Sequence, residues 1–376
     1  MAARRELGKI RRLVVKVGSS LVTTPETGPD PARIEALAAE IAAIRADREV
    51  VLVTSGAIAT GMARLALPAR PRSIPEKQAA AAVGQSALMW QYEAAFKRHG
   101  IAVGQVLLTA QDISDRARYL NARNTLLALL RFSVLPVVNE NDTVAVEEIK
   151  VGDNDNLSAF VASLIEADLL VLLTDVEGLY TGDPARDPTA RKLDTVDAVN
   201  DAIEALVWKR AGSGSGSVGG MATKLQAAQK AAAAGVAMVI GSGLEEGILT
   251  RIVAGDTVGT FFPAKADRLT ARKRWIAFAV PPQGRLTVDA GAVVALTRRG
   301  KSLLPSGLVD VDGEFAAGDL VAVAGEPDGR EFARGLVNFE AAELRRIKGA
   351  KTQDIEARLG YRSVDEVIHR DNLVIL

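Results

Sequence analysis

The chain has 376 residues, 48% of them hydrophobic, with 46 Lys plus Arg against 46 Asp plus Glu, no Cys and two His. That length exceeds one average domain and that apolar content supports a large core, so one big domain and a smaller one are expected. Without Cys there are no disulfides or thiolate metal sites, and two His leave little for an imidazole centre; any metal should be a hard cation on oxygens. A net charge of zero gives no global field to attract nucleic acid or a membrane surface.

The basic start, Arg4, Arg5, Lys9, Arg11 and Arg12, leads only into the short run 13–17, too brief for a secretory signal or a spanning helix. A cytoplasmic protein is expected. Residues 13–17 are apolar except Lys16 and run into Gly18, Ser19 and Ser20, which suggests a central parallel strand ending in a phosphate-accepting turn. An isolated strand-end lysine ordinarily snorkels to water, so Lys16 has two readings. Asp30 before Pro31 is a cap-then-proline signature, and Ile34, Leu37, Ala38, Ile41 and Ile44 make the stripe of a helix. Residues 50–53 read as the next strand, ending in Thr54, Ser55, Gly56 and Ala57, a small turn whose backbone amides can approach a ligand.

Residues 75–98 read as one long helix closed by Lys97, Arg98, His99 and Gly100, with His99 a cation near a helix end rather than a catalytic group. Then follow a strand at 101–108, a helix at 121–130 and a strand at 134–138. The last delivers Asn139, Glu140, Asn141 and Asp142 together. A second polar cluster, Gly152, Asp153, Asn154, Asp155 and Asn156, precedes Leu157, Phe160, Val161, Leu164 and Ile165 at helical spacing, placing it at a helix N-terminus. Either cluster alone is an ordinary Asx-rich turn. Together they favour a site for a small ligand that carries an ammonium or is bound through a metal ion. With the apolar strand 169–173 ending in Thr174 and Asp175, strands and helices alternate for 175 residues. This predicts an α/β fold around a mostly parallel sheet, with ligands at the carboxyl ends of its strands.

Residues 178–184 look like a hairpin or excursion at the sheet edge. The Gly/Ser-rich stretch 211–224 is either a linker or, because it feeds a helix over 221–234 with Lys224 in its first turn, a polyphosphate cradle. It is not a Walker loop, since the GxxxxGK spacing is absent. Residues 236–240 should form the last strand of this domain, with 259–264 leading outward and 267–282, bearing Arg272, Lys273 and Arg274, connecting onward. From residue 284, short runs at 286–288, 293–296 and 320–323 parted by glycines indicate a small β-rich domain. Two lysines on separate phosphate-friendly turns, without Cys or a usable His, suit phosphoryl transfer. An alcohol acceptor would need a base, such as Asp153 or Asp155; a carboxylate with pKa near roughly 4 is already ionised.

The segments VVKVGSS, VLVTSGAIATG, AAVGQSALM, LLTAQDISDRARYLNARNT, LPVVNENDTVAVEEIKVGDNDNLSA, LLTDVEGLYTGDP and GGMATKLQAA occur in this order over nearly the first 260 residues. They resemble the motifs of the bacterial glutamate 5-kinases of the amino acid kinase family. RKRWIAF, GRLTVDAGA, KSLLPSGL, LRRIKG and LGYRSVDEVIHRDNLVIL resemble the PUA domain that longer members append. The resemblance implies an amino acid kinase domain at 1–265, a linker at 266–283 and a PUA domain at 284–376. It implies transfer of phosphate from ATP to the γ-carboxylate of L-glutamate, opening proline biosynthesis, with Mg2+ carried by ATP rather than by protein ligands.

Position by position, it implies catalytic roles for Lys16, Lys224 and Asp155, and acceptor contacts at Ser55, Gly56, Ala57, Asp142 and Asn154. Asp153 and Asp155 would help hold substrate and order the lysines. Nucleotide contacts would fall at Lys16, Thr174, Asp175 and the loop Val218, Gly219, Gly220, Met221, Ala222, Thr223 and Lys224; relatives often carry Thr and Ser where this chain has Val218 and Ala222. Feedback inhibition by proline, a homo-oligomer (dimer or tetramer) and hand-over of the product to glutamyl phosphate reductase are also implied. Rival expectations are another activity of the same family, on aspartate or acetylglutamate, or an RNA-binding PUA protein. Against the latter, acidic side chains outnumber basic ones over 284–376.

Overall fold

The computed structural model describes residues 4, 6–24, 27–109, 112, 116–145, 154–182, 184, 187–208, 220–264, 282–327, 329–361 and 364–376. The chain divides into two compact units, residues 1–114 with 121–266, and residues 115–120 with 267–376.

In the first unit, strands β1 (Arg12–Val17), β2 (Glu49–Val53), β3 (Val103–Leu108), β4 (Leu135–Glu140), β5 (Leu169–Thr174), β6 (Ala237–Ser242) and β7 (Thr260–Phe262) alternate with helices. The main helices are α1 (Pro31–Ile44), α2 (Ala57–Arg64), α3 (Ile74–Lys97), α4 (Arg116–Arg131, of which residues 116–120 fall in the second unit), α5 (Asn154–Leu164), α6 (Asp201–Trp208), α7 (Met221–Ala233) and α8 (Ile248–Ala254). The strands form one sheet in the order β3-β4-β2-β1-β5-β6-β7. All neighbouring pairs are parallel except β6 with β7. The chain leaves β1 toward β2 on one side and returns at β5 on the other. That reversal makes the carboxyl end of β1 the switch point where such sheets open a crevice.

Strand periodicity decides what each face does. Leu13, Val15 and Val17 join Ile34 and Ile41 of α1 and Leu88, Tyr92 and Phe96 of α3 in one buried core. Val14 and Lys16 point to the opposite face, the one on which α5 meets β1 and α7 packs against α5. Lys16 pairs in register with Val53 of β2 and Leu172 of β5 and is only 6% exposed, so the snorkelling reading fails. The cap expected at Asp30 is present, and a second one, not read from the sequence, starts α3. Asp30 accepts from Ala32 and Arg33 at the start of α1, and Ser73 with Glu76 forms a capping box on α3. His99 lies just past α3, with Nε2 3.7 Å from Glu35. The excursion after β5 closes on itself where Tyr180 bridges Lys192.

Three expectations change. Residues 237–242 are not the last strand: β7 doubles back antiparallel on β6, with Thr260 opposite Ile240, instead of leading outward. Gly259, at φ +64, permits that reversal in a space where a Cβ would lie 2.3 Å from the Ile240 carbonyl oxygen. Helices α2, α6 and α8 are not expected from the sequence; in α2, AIATGMAR offers no long apolar stripe, and contact with α3 supplies what periodicity does not. Residues 293–296 are helical, not a strand.

In the second unit β8 (Gly284–Val288), β9 (Leu308–Gly313), β10 (Leu320–Gly325), β11 (Glu331–Leu336) and β12 (Leu373–Ile375) form a sheet in the order β9-β8-β10-β11-β12. Helix α9 (Ala290–Arg299) contains the misread run. Asp289 caps it by accepting from Ala292, and Gly300 ends it at φ 55, so Val293 and Leu296 fall one helical turn apart. Around Leu286, Val321, Val323, Phe339 and Leu344 this unit has a core of its own. The stretch 267–282, read as a connection, lies almost wholly outside the described residues.

Candidate active site

The carboxyl ends of β1, β2, β4 and β5 and the first turns of α5 and α7 bring polar side chains together at the first unit's switch point. Helix α5 opens with Asn154 and Asp155, and successive helical residues diverge by about 100°, so the two address different neighbours.

Asp155 turns toward β1 and α7. Its carboxylate is completely buried, with Oδ1 2.5 Å from Lys16 Nζ and Oδ2 3.0 Å from Lys224 Nζ. Thr223 Oγ1 donates to the same Oδ2 at 2.9 Å. Lysines separated by more than two hundred positions thus meet on one carboxylate. Both are 6% exposed, which demands such a partner, because an unpaired buried ammonium is costly. Burial alone would push the Asp155 carboxyl upward, but the charges and hydrogen bonds of Lys16 and Lys224 outweigh it and hold the group below the usual carboxylate range. With both oxygens engaged, Asp155 is not poised as a general base; it fixes the two ammonium groups.

Asn154 turns toward β2 and β4. Its Nδ2 lies 2.8 Å from the Thr54 carbonyl, 2.8 Å from Ser55 Oγ and 2.9 Å from Asn139 Oδ1. Asn139, 2% exposed, donates in turn to Gln85 Oε1 of α3 at 2.8 Å. Gly56 follows at φ 110 and serves as the uncapped N-cap of α2, where a Cβ would lie 2.8 Å from Thr23 Cγ2, and Ala57 is the first helical residue. Asp142 lies half-buried in the turn after β4. Because Asn154 and Asp155 are consecutive, with Cα atoms about 3.8 Å apart, the acceptor-side network and the lysine pair cannot drift independently.

Other expected residues lie close by in the fold without joining that hydrogen-bonded cluster. Thr174 ends β5 beside β1 and donates to Asp175 Oδ1 at 3.0 Å; Gly18 N donates to the Leu173 carbonyl, tying the turn after β1 to β5. Gly220 caps α7 with no side-chain hydrogen bond; the Thr223 amide donates to the Gly220 carbonyl at 3.2 Å, and the amides of Met221 and Ala222 lead the helix start. Asp153, Val218 and Gly219 lie outside the described residues. Asn139 and Thr54 stand in the sequence only as members of a ligand-facing cluster and turn, without individual roles, and Gln85 and Tyr92 are not singled out there at all. Asn139 carried a signal, as a polar residue ending an apolar strand; Gln85 and Tyr92 carried none, since a polar or aromatic residue within a long helix has many bland explanations.

The amino acid kinase family profile matches residues 11–242, and the PUA domain profile matches residues 284–359. A protein from Moorella thermoacetica named glutamate 5-kinase is 51% identical over 375 residues, covering 99% of this chain and 98% of that one. One of the same name from Burkholderia cenocepacia is 53% identical over 367 residues, 97% of this chain and 98% of that one. A third, from Ralstonia nicotianae, is 53% identical over 377 residues, the full length of both. The family profiles and the similarity running through both units agree: the chain belongs to the amino acid kinase family and carries a PUA domain.

Proposed function

We propose that this chain catalyses the glutamate 5-kinase reaction, transferring the terminal phosphoryl group of ATP to the γ-carboxylate of L-glutamate. Two lysines sharing the buried carboxylate of Asp155 carry the reading, since phosphoryl transfer needs positioned positive charge more than covalent chemistry. Lys16 and Lys224 neutralise the oxygens of the migrating group. The turn after β1 and the first turn of α7, Gly220 to Lys224 with Val218 and Gly219 ahead of them, offer amides to the polyphosphate. Thr174 and Asp175 contact the nucleotide, and Mg2+ arrives as the counter-ion of ATP.

On the acceptor side, Asp142 pairs with the α-ammonium, while Ser55, Asn154 and the amides of Gly56 and Ala57 hold a carboxylate; Asp153 supports them. The γ-carboxylate is already ionised and attacks in line, which accords with Asp155 being occupied as a positioning group. The product is an acyl phosphate, labile in water, so its consumption by a reductase in the same compartment is part of this proposal, as are a cytoplasmic location, a homo-oligomer and inhibition by proline. Among the described residues no helix is long and apolar enough to cross a membrane.

The test is ATP consumption across a panel of amino acids with hydroxylamine trapping. L-Glutamate is expected to give the hydroxamate, with aspartate and acetylglutamate near background. Absence of a glutamate hydroxamate, or preference for another acid, overturns the proposal.

A further inference from the structure

Helix α3 approaches the acceptor side at three places, and the three contacting residues fall seven positions apart. Gln78 Nε2 donates to the Ala145 carbonyl at 3.2 Å, in the turn that carries Asp142. Gln85 Oε1 accepts from Asn139, which accepts from Asn154. The Tyr92 hydroxyl, buried among apolar side chains, lies 2.7 Å from Thr54 Oγ1. Seven residues are nearly two helical turns, so the three side chains share one face of a rigid rod.

Proton counting gives the last contact a direction. Thr54 Oγ1 has one proton and a carbonyl to receive it, that of Ser55 at 3.2 Å; the Tyr92 hydroxyl then supplies the proton between the two oxygens. Burial pushes that hydroxyl well above its ordinary pKa, so it remains a donor throughout the neutral range. Thr54 in turn presents the carbonyl that Asn154 meets. The rod itself is keyed against α2: a Cβ on Gly84 would lie 1.9 Å from the Ala57 carbonyl oxygen, and one on Gly61 1.7 Å from that of Ala80. Gln78, Gln85 and Tyr92 have no hydrogen bond to Lys16, Lys224 or Asp155 among the described residues.

We infer that Gln78, Gln85 and Tyr92 are positioning residues for the acceptor substrate, a ruler along α3 that sets the spacing of the Asp142 turn, Asn139 with Asn154, and Thr54 with Ser55, without serving the phosphate side. This rests on the glutamate kinase reading above. Apolar replacement at each point loosens one acceptor contact and leaves the lysine pair in place.

The test is steady-state kinetics on full-length Gln78→Met, Gln85→Met and Tyr92→Phe, with Ser86→Ala on the exposed face of α3 as control. The glutamate KM is expected to rise about fivefold in each of the three, with kcat and the ATP KM within about twofold and the control unmoved. Thr54→Val should reproduce Tyr92→Phe, and Thr54→Ser, which keeps the hydroxyl, should restore the wild-type KM. A purely structural role lowers the melting temperature while the glutamate KM stays put, and that result in a wild type active on glutamate overturns this inference alone. A wild type that does not phosphorylate glutamate overturns the activity and this inference together.

Discussion

Lys16 interrupts an otherwise apolar strand, and its burial converts that oddity into a statement about charge. A strand-end lysine that could reach water would not need Asp155; this one is 6% exposed and relies on it. Lys16→Ala and Lys224→Ala are each expected to lower kcat by about 10²–10³-fold with little change in the glutamate KM, as measured by steady-state kinetics. Asp142→Ala should instead raise the glutamate KM, and an unchanged value counts against its ammonium contact. Asp155 makes a pH prediction. Its folded pKa is depressed, so its stabilisation is fully present above the unfolded value near roughly 4 and disappears as pH falls through the lower folded value. The gap in denaturation midpoint between wild type and Asp155→Asn should therefore be constant from about pH 8 to pH 5 and shrink only below about pH 4. A gap that closes between pH 7 and 6 would contradict the pairing.

At the scale of elements, two helices carry the site in different ways. α5 joins acceptor and phosphate sides through adjacent residues, and α3 reaches the acceptor side from the core. The α2–α3 crossing has no room for side chains at Gly61 and Gly84, and the opposing atoms are backbone, which cannot rotate away. Gly84→Ala is expected to destabilise the fold by about 3 kcal/mol or more, read as a lowered melting temperature. The long helix over 74–97 is legible from its residues, but in sequence Gly84 is only a residue of low helix propensity within it. Its reason for being glycine is a contact with a carbonyl some 27 positions earlier, at Ala57. The reading of 293–296 as a strand failed similarly: a short apolar run fits either period until a cap such as Asp289 and a stop such as Gly300 are recognised as belonging to it.

For the whole molecule, the basic side chains of the second unit bear on the RNA-binding alternative. Arg345 pairs with Glu314 at 2.8 Å, Lys348 with Asp310 at 2.9 Å and Arg334 with Glu331 at 2.6 Å. Cations already matched to their own carboxylates have less to gain from a phosphate backbone. Filter binding of bulk RNA at low salt is expected to show no submicromolar retention; such retention would revive an RNA-docking role for the PUA domain.

What residue order determined by itself was local. Strand after helix after strand, the cap at Asp30, the polar residues crowded at the ends of apolar runs, and the two lysines on glycine-bearing turns all follow from spacing and composition. The motifs were specific enough to point to the family before any contact was visible. Tertiary structure alone decided which of those groups meet. Lys16 and Lys224 could each have been a solvated surface charge; that both close on Asp155 depends on a parallel sheet bringing β1 under α5, against which α7 packs. Strand periodicity could say that Lys16 faces away from Val15 and Val17, but not which helix would cover it. The edge strand β7, the α2–α3 crossing and the Gln78, Gln85 and Tyr92 contacts were likewise decided by packing between distant segments, because only folding specifies which far-off backbone a small or polar side chain will meet.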